Sequence, residues 1–206
     1  MNLYLKLSHF HYLPHALLAL FLLLAACART PPVTHYSLSA IDPDQPVVGG
    51  EALGEAVIGI GPVRLSEYLD RPQIVTREGA NLLHLAEGNR WVEPLAVSIP
   101  RTMRENLATA LDTEKILVFP WTQEVDYQIL VEIVRFEGVD STTAYLEAIW
   151  SAQDSQGKLI LPQRRSEYRV PMAESDSEGL VRALSRALAL FSWEIAEKLS
   201  GTASGK

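Results

Sequence analysis

Residue types able to do covalent or acid–base chemistry are scarce in this sequence. Cys27 is the only cysteine, and it stands where an apolar run ending Leu24-Ala25-Ala26 gives way to Ala28-Arg29-Thr30-Pro31-Pro32. Three of the five histidines, His9, His11 and His15, precede that run, which leaves His35 and His84 beyond it. One thiol excludes an intramolecular disulfide, and two histidines without a second cysteine cannot assemble a His/Cys metal cluster. A carboxylate-only site for a hard cation stays open. There is no Gly-x-Ser-x-Gly elbow, no Walker loop and no His-Glu-x-x-His. Gly59-Ile60-Gly61 lacks a third glycine and runs into Pro62, so it reads as a tightly packed strand end and not a dinucleotide fingerprint. His35 and His84 fall in expected strands as surface or structural histidines, and no spacing singles out two carboxylates as an acid/base couple. The expectation is a protein that is not an enzyme and takes no cofactor and no metal.

The chemistry that remains is that of the Cys27 thiol. Residues 1–15 carry Lys6, three histidines and no acid, and residues 16–26 are eleven apolar residues without a break. As a helix that run spans about 16 Å, against a bilayer core of roughly 30 Å. A basic start, a short apolar stretch and small residues before a cut describe a secretory signal peptide. Leu24-Ala25-Ala26-Cys27 further resembles the bacterial lipobox, whose cysteine takes a diacylglyceryl group, is freed as the first residue and is usually acylated on its amine. Several chains are needed because one acyl chain binds only marginally, while each further buried CH₂ adds about 0.8 kcal/mol. Residue 28 is Ala and not Asp, which favours sorting to the outer membrane over retention at the inner one.

The chain of 206 residues is 48% hydrophobic and 21% charged, a globular profile. Its 25 acidic and 18 basic side chains give a formal charge of -7, which argues against nucleic acid as a partner. The organisation expected is a signal peptide (1–26), an acylated, proline-stiffened tether (27–33), one domain (34–200) and a frayed polar tail (201–206).

Within the domain, strands are expected at 34–39, 56–61 (ending at Pro62), 73–77, 82–86, 116–118, 125–136, 142–150 and 159–170, with a long Pro- and Gly-rich loop at 41–55. Leu95, Ile99, Met103, Leu107 and Leu111 recur every four residues and make a helix. Pro100 leaves its start open: the helix begins near Pro100, or near Leu95 with Pro100 inside it. Ser175-Asp176-Ser177-Glu178 fits a capping box for a second helix to about Leu199, striped by Leu180, Leu184, Leu188, Phe191, Ile195 and Leu199. Glu194 and Lys198 stand at a favourable i,i+4 spacing on it. Strands and helices so intermixed predict a single α/β domain, a mixed β-sheet flanked by two amphipathic helices, in preference to a β-sandwich.

Two segments stand out, Gly61-Pro62-Val63 through Val75 and Asn89 through Leu95. They place Tyr68, Leu69, Asp70, Arg71 and Pro72 together, and likewise Arg90, Trp91 and Pro94. Aromatics beside arginines are the material of interaction hot spots, so these residues are candidates for partner binding. The competing reading has Tyr68 and Trp91 plugging the core edge and Asp70-Arg71-Pro72 forming a rigid turn.

The lipobox, Tyr36-x-Leu38, Ile58-Gly59-Ile60-Gly61-Pro62-Val63, Leu69-Asp70-Arg71-Pro72-Gln73-Ile74-Val75 and Arg90-Trp91-x-Glu93-Pro94-Leu95 together resemble the ABC-type transport auxiliary lipoproteins of the PqiC (paraquat-inducible) type. The likeness runs on through the Trp150 strand to Ile195-Ala196-x-x-Leu199; Pro100 departs from it. It implies an α/β domain with a mixed sheet and no catalytic role. It further implies a periplasm-facing outer-membrane lipoprotein, a ring-forming homo-oligomer. That lipoprotein would dock the tip of an MCE-domain protein that works with an inner-membrane permease and ATPase to move lipid.

Overall fold

The computed structural model describes residues 32–41, 45–48, 53 and 55–203. The apolar leader, the Cys27 attachment point, tether residues 28–31, parts of the 41–55 loop and residues 204–206 lie outside the described residues. Among those described, no helix is long and apolar enough to cross a membrane.

Eight strands form one mixed sheet: β1 (Thr34–Tyr36), β2 (Ile58–Leu65), β3 (Gln73–Glu78), β4 (Leu82–Trp91), β5 (Ile116–Val118), β6 (Tyr127–Val139), β7 (Thr143–Asp154) and β8 (Leu159–Pro171). Helix α1 (Leu95–Leu111) follows β4 and α2 (Ser177–Ala203) follows β8, so four strands and a helix occur twice in chain order. The long strand β6 is the axis. β7 runs antiparallel along its whole length and passes the ladder on to β8. On its other side β6 is shared: β2 lies parallel to its first half, and β3 meets it at Thr76↔Gly138 and Arg77↔Val139. β5 extends the β2 side, and β4 and then β1 extend the β3 side.

Alternation along β6 sends Ile129, Val131, Ile133 and Phe136 into the core. Both helices meet that face: α1 packs on β2 and β5, α2 on β7 and β8, and the helices pack on each other. Every residue of the two stripes read from the sequence is buried. The edge of the Phe191 ring meets Trp150 with centroids 6.2 Å apart. Gly138 lets α2 approach the sheet, since a Cβ there would stand 3.0 Å from Leu180.

Several boundaries differ from expectation, each for a local reason. β1 stops at Tyr36, after its pairing with Trp91. β2 does not end at Pro62 but continues to Leu65. The register shifts between Ile60 and Val63, so the proline falls where no ladder N–H is required. β4 continues to Trp91 after a register shift between Gln73 and Ile74 of β3. Of the two starts left open for α1, the structure has Leu95, with Pro94 as N-cap and Pro100 inside the helix and buried. The helix accepts one missing N–H in exchange for an unbroken apolar stripe. Asp112 ends it in the left-handed conformation (φ 51°), its N–H returning toward Ala108 and Thr109.

Asp176, and not Ser175, caps α2: its Oδ1 accepts the Gly179 N–H at 2.8 Å. Glu178 pairs with Arg182 at 3.0 Å. Glu194 does not pair with Lys198; it accepts the Tyr168 hydroxyl at 2.5 Å, while Lys198 lies 3.7 Å from Glu197. The helix also outruns the expected end of the domain and reaches Ala203, with Thr202 bonding the Leu199 carbonyl at 2.7 Å.

The cap separates the two serine/aspartate assignments. Asp176→Ala is expected to lower unfolding free energy by about 1 kcal/mol in urea titrations, and Ser175→Ala to change it by less than about 0.5 kcal/mol.

Candidate functional site

The two segments singled out in the sequence meet in space. After β2 the chain makes a short 3-10 turn over Glu67–Leu69, in which the Leu69 N–H reaches the Ser66 carbonyl at 2.9 Å. It then passes Asp70-Arg71-Pro72 into β3. At the far end of β4 the Trp91 N–H donates to the Pro72 carbonyl at 2.7 Å, and the Val92 N–H to that of Tyr36 at 2.9 Å. Asp70, Arg71, Pro72, Trp91, Val92, Glu93 and Pro94 thereby line a mainly apolar notch of about 260 Å³ beside the start of α1.

The eight candidate residues divide. Asp70, Arg71, Pro72, Trp91 and Pro94 are in the notch. Trp91 is its floor and not an exposed anchor: only 6% exposed, it packs 6.3 Å from the ring of Phe136. Leu69 is a core residue at 1% exposure. Of the two readings left open for these segments, the structure has the one in which Trp91 plugs the core edge, Leu69 and Trp91 both turning inward. Arg90 lies outside the notch lining, 3.8 Å from Glu87. The Nε atoms of Arg71 and Arg90 are buried without an acceptor.

Sequence reasoning missed the apolar rim. Val92, in the notch lining, is 59% exposed, and Val97, in the first turn of α1, is 53% exposed. The signal was present in the unassigned position of Arg90-Trp91-x-Glu93, where an aliphatic residue stands between a core aromatic and an acid. Glu93 itself is tied to Arg101 by an ion pair.

Tyr68 belongs to a different arrangement, also missed. Its hydroxyl donates to Glu137 Oε2 at 2.9 Å. Glu137, on β6, is 0% exposed and also receives Arg77 Nε at 2.5 Å and Arg135 Nε at 2.7 Å. Burial alone pushes this carboxyl up, but the hydrogen bonds from Arg77, Arg135 and Tyr68 outweigh it and hold Glu137 below the usual carboxylate range. Burial and the neighbouring Glu137 carboxylate push the Tyr68 phenol up, so it stays a neutral donor. No sequence spacing announces this group, since its members come from the 66–69 turn, β3 and β6.

His35 and His84 are exposed, His84 beside Glu78 at 2.9 Å, and they are far apart in the pairing of the sheet: His35 on β1 opposite Arg90, His84 on β4 opposite Thr76. Among the described residues no group of three or more His, Cys, Asp or Glu side chains could hold a metal ion.

The chain belongs to the ABC-type transport auxiliary lipoprotein component family, whose sequence profile matches residues 36–196. Its fold is similar to the crystal structure of an uncharacterised protein (TM-score 0.67, 18% identity, covering 82% of this chain and 99% of that one). It is equally similar to a Xanthomonas campestris protein of the DUF330 family (TM-score 0.67, 16% identity, 84% and 98% covered). No curated protein matches the chain by sequence.

The Glu137 cluster has a pH signature. A carboxyl whose folded pKa is depressed contributes stability that is complete above its unfolded value, roughly 4.3, and is lost as pH falls through the folded value. Urea titrations are expected to show stability falling below about pH 5. Glu137→Gln should flatten part of that fall. At pH 7 the same substitution is expected to cost about 3 kcal/mol, because two guanidinium groups lose a buried counter-charge.

Proposed function

We propose that this chain is the outer-membrane docking component of an intermembrane lipid transport system. In this reading Cys27 is acylated and holds the domain on the periplasmic side of the outer membrane. Copies of the domain form a ring that receives the tip of an MCE-domain protein. That protein links the ring to an inner-membrane permease and ATPase. The chain itself does no catalysis; it supplies an anchor and a grip.

The observation that carries the reading is the notch. Leu69-Asp70-Arg71-Pro72 and Arg90-Trp91-x-Glu93-Pro94-Leu95, the two most distinctive parts of the family likeness, converge there through the Trp91–Pro72 hydrogen bond. Beneath it Leu69 and Trp91 are packed core, so the rim is rigid. In the lining Val92 remains exposed together with Pro72 and Pro94. A rigid, partly apolar rim loses little entropy on binding, and a preorganised rim is what a docking contact requires.

The test is co-purification of the full chain from detergent-solubilised envelopes, with mass spectrometry of the bait, its Cys27 peptide and its companions. An acylated Cys27 peptide together with an MCE-domain protein is the expected result, and native mass measurement of the complex then gives the copy number. A β-barrel protein as the only companion would overturn docking in favour of an assembly or pilot lipoprotein for an outer-membrane complex.

Two substitutions separate grip from scaffold. Val92→Asp is expected to cut recovery of the companion about tenfold or more while leaving the melting temperature within a degree or two, because the side chain is exposed. Trp91→Ala is expected to lower stability by about 3–5 kcal/mol, through the cavity beside Phe136. Unchanged recovery with Val92→Asp would remove the notch from the docking surface.

A further inference from the structure

The sheet face that does not meet the helices carries a second feature, independent of the notch. Arg77 on β3, Arg135 on β6 and Arg169 on β8 line an open basin of about 480 Å³, closed at one end by Gly79, Ala80 and Asp140 of the neighbouring turns. We propose that this basin binds a phosphate group.

Arg77 turns all three nitrogens to protein acceptors, Nε and Nη2 to Glu137 and Nη1 to the Ala80 carbonyl at 3.1 Å, and keeps one further N–H on each Nη. Arg135 gives Nε and Nη2 to Glu137, which leaves Nη1. Arg169 meets no acceptor among the described residues; its guanidinium carbon lies 4.4 Å from the centre of the Tyr145 ring. That of Arg135 lies 4.2 Å from the same centre. The ring is itself fixed, its hydroxyl donating to Glu167 at 2.7 Å. Tyr145 thus holds both guanidinium groups by cation–π contact.

The unused donors belong to different strands, Arg135 on β6 and Arg169 on β8, and both residues line the basin. A carboxylate offers two oxygens in one plane, and that of Glu137 already takes the Nε sides of Arg77 and Arg135. A tetrahedral phosphate presents oxygens to several donors at once and suits two guanidinium groups better. The lining has three arginines and one acid, Asp140, with the buried Glu137 paired to Arg77 and Arg135, a surplus of positive charge in a chain whose formal charge is -7. A free phosphate ion and a phosphate carried by a lipid headgroup share this chemistry.

The test is isothermal titration of the detergent-purified full chain, at constant low chloride, with sodium phosphate, glycerol 1-phosphate, the diester glycerophosphoglycerol and, as comparison, sodium acetate. Saturable binding of at least one phosphate probe is expected. Arg169→Gln should weaken it about tenfold or more, since a charge-assisted hydrogen bond is lost, and should leave the melting temperature unchanged. Arg169→Lys should restore part of the affinity; were the Gln variant to melt early, the Lys variant at native melting temperature is expected to bind several-fold more weakly than wild type. Equal binding of all three phosphate probes would assign the basin to free phosphate, and preference for the diester to a headgroup. Acetate binding as tightly as phosphate, no saturable phosphate binding, or variants that bind like wild type would each overturn the proposal. The proposal does not rest on the docking reading, because Val92→Asp leaves every basin residue in place.

Discussion

The carboxylate of Glu137 is the point on which the described structure turns. A glutamate with 0% exposure is costly to ionise unless donors surround it, and here Arg77, Arg135 and the Tyr68 hydroxyl all converge on it. Each tie comes from a different element, so the cluster fixes β3, β6 and the 66–69 turn relative to one another. Residues 68 and 77 flank Asp70-Arg71-Pro72 in the chain. Pinning both holds the notch rim in place, and Arg135 carries the same constraint to the phosphate basin.

The sheet itself creates the need for such a pin. β6 is longer than either parallel neighbour, and β2 gives way to β3 along it: Leu65 is the last β2 residue paired, opposite Ile133, and the β3 contacts begin at Gly138. Between these points β6 shifts register against β7, between Ile133 and Arg135. The Val134 carbonyl there accepts the Ser66 hydroxyl at 2.9 Å, which keeps the backbone group at the junction satisfied. The turn that fills this gap is the start of the notch segment. A sequence stretch that looks like an interaction motif is therefore also a structural patch over a discontinuity in the sheet.

This double duty explains what was legible in the sequence and what was not. The helix stripes, from Leu95 to Leu111 and Leu180 to Leu199, were readable because every fourth residue answers to one burial surface. The strands and their place in a mixed sheet with two helices were readable from short apolar runs and, along β6, from period-two alternation, and the family likeness identified the segments of the notch. Strand ends were less legible, since pairing and not side-chain type decides them: Pro62 sits inside β2 because a register shift excuses it from the ladder. Trp91 stayed open between a binding anchor and a plug of the core edge because its neighbours Arg90, Glu93 and Pro94 are polar or turn-forming. Its burial depends on Phe136, forty-five positions away. The arginine and glutamate positions of β3, β6, β7 and β8 read as ordinary solvated alternation. Only the pairings Glu137↔Tyr145 and Tyr145↔Arg169 bring them into one file across the sheet.

That file has a physical rationale beyond any ligand. A sheet with helices on one face must make its other face either polar or covered, since an exposed apolar sheet face invites aggregation. Isolated lysines and glutamates would suffice for solubility and would leave no buried charge. Instead Glu137 and Glu147 are both buried, Glu147 beneath Arg165, while Tyr145 lies between two guanidinium groups. Apolar pairs at such positions commonly give equal or greater stability. Stability alone therefore does not account for an ordered network whose last member, Arg169, has no acid of its own. A network that stops one counter-charge short is held in readiness for an anion supplied from outside, and the same order that fixes Arg135 and Tyr145 would keep the binding penalty small.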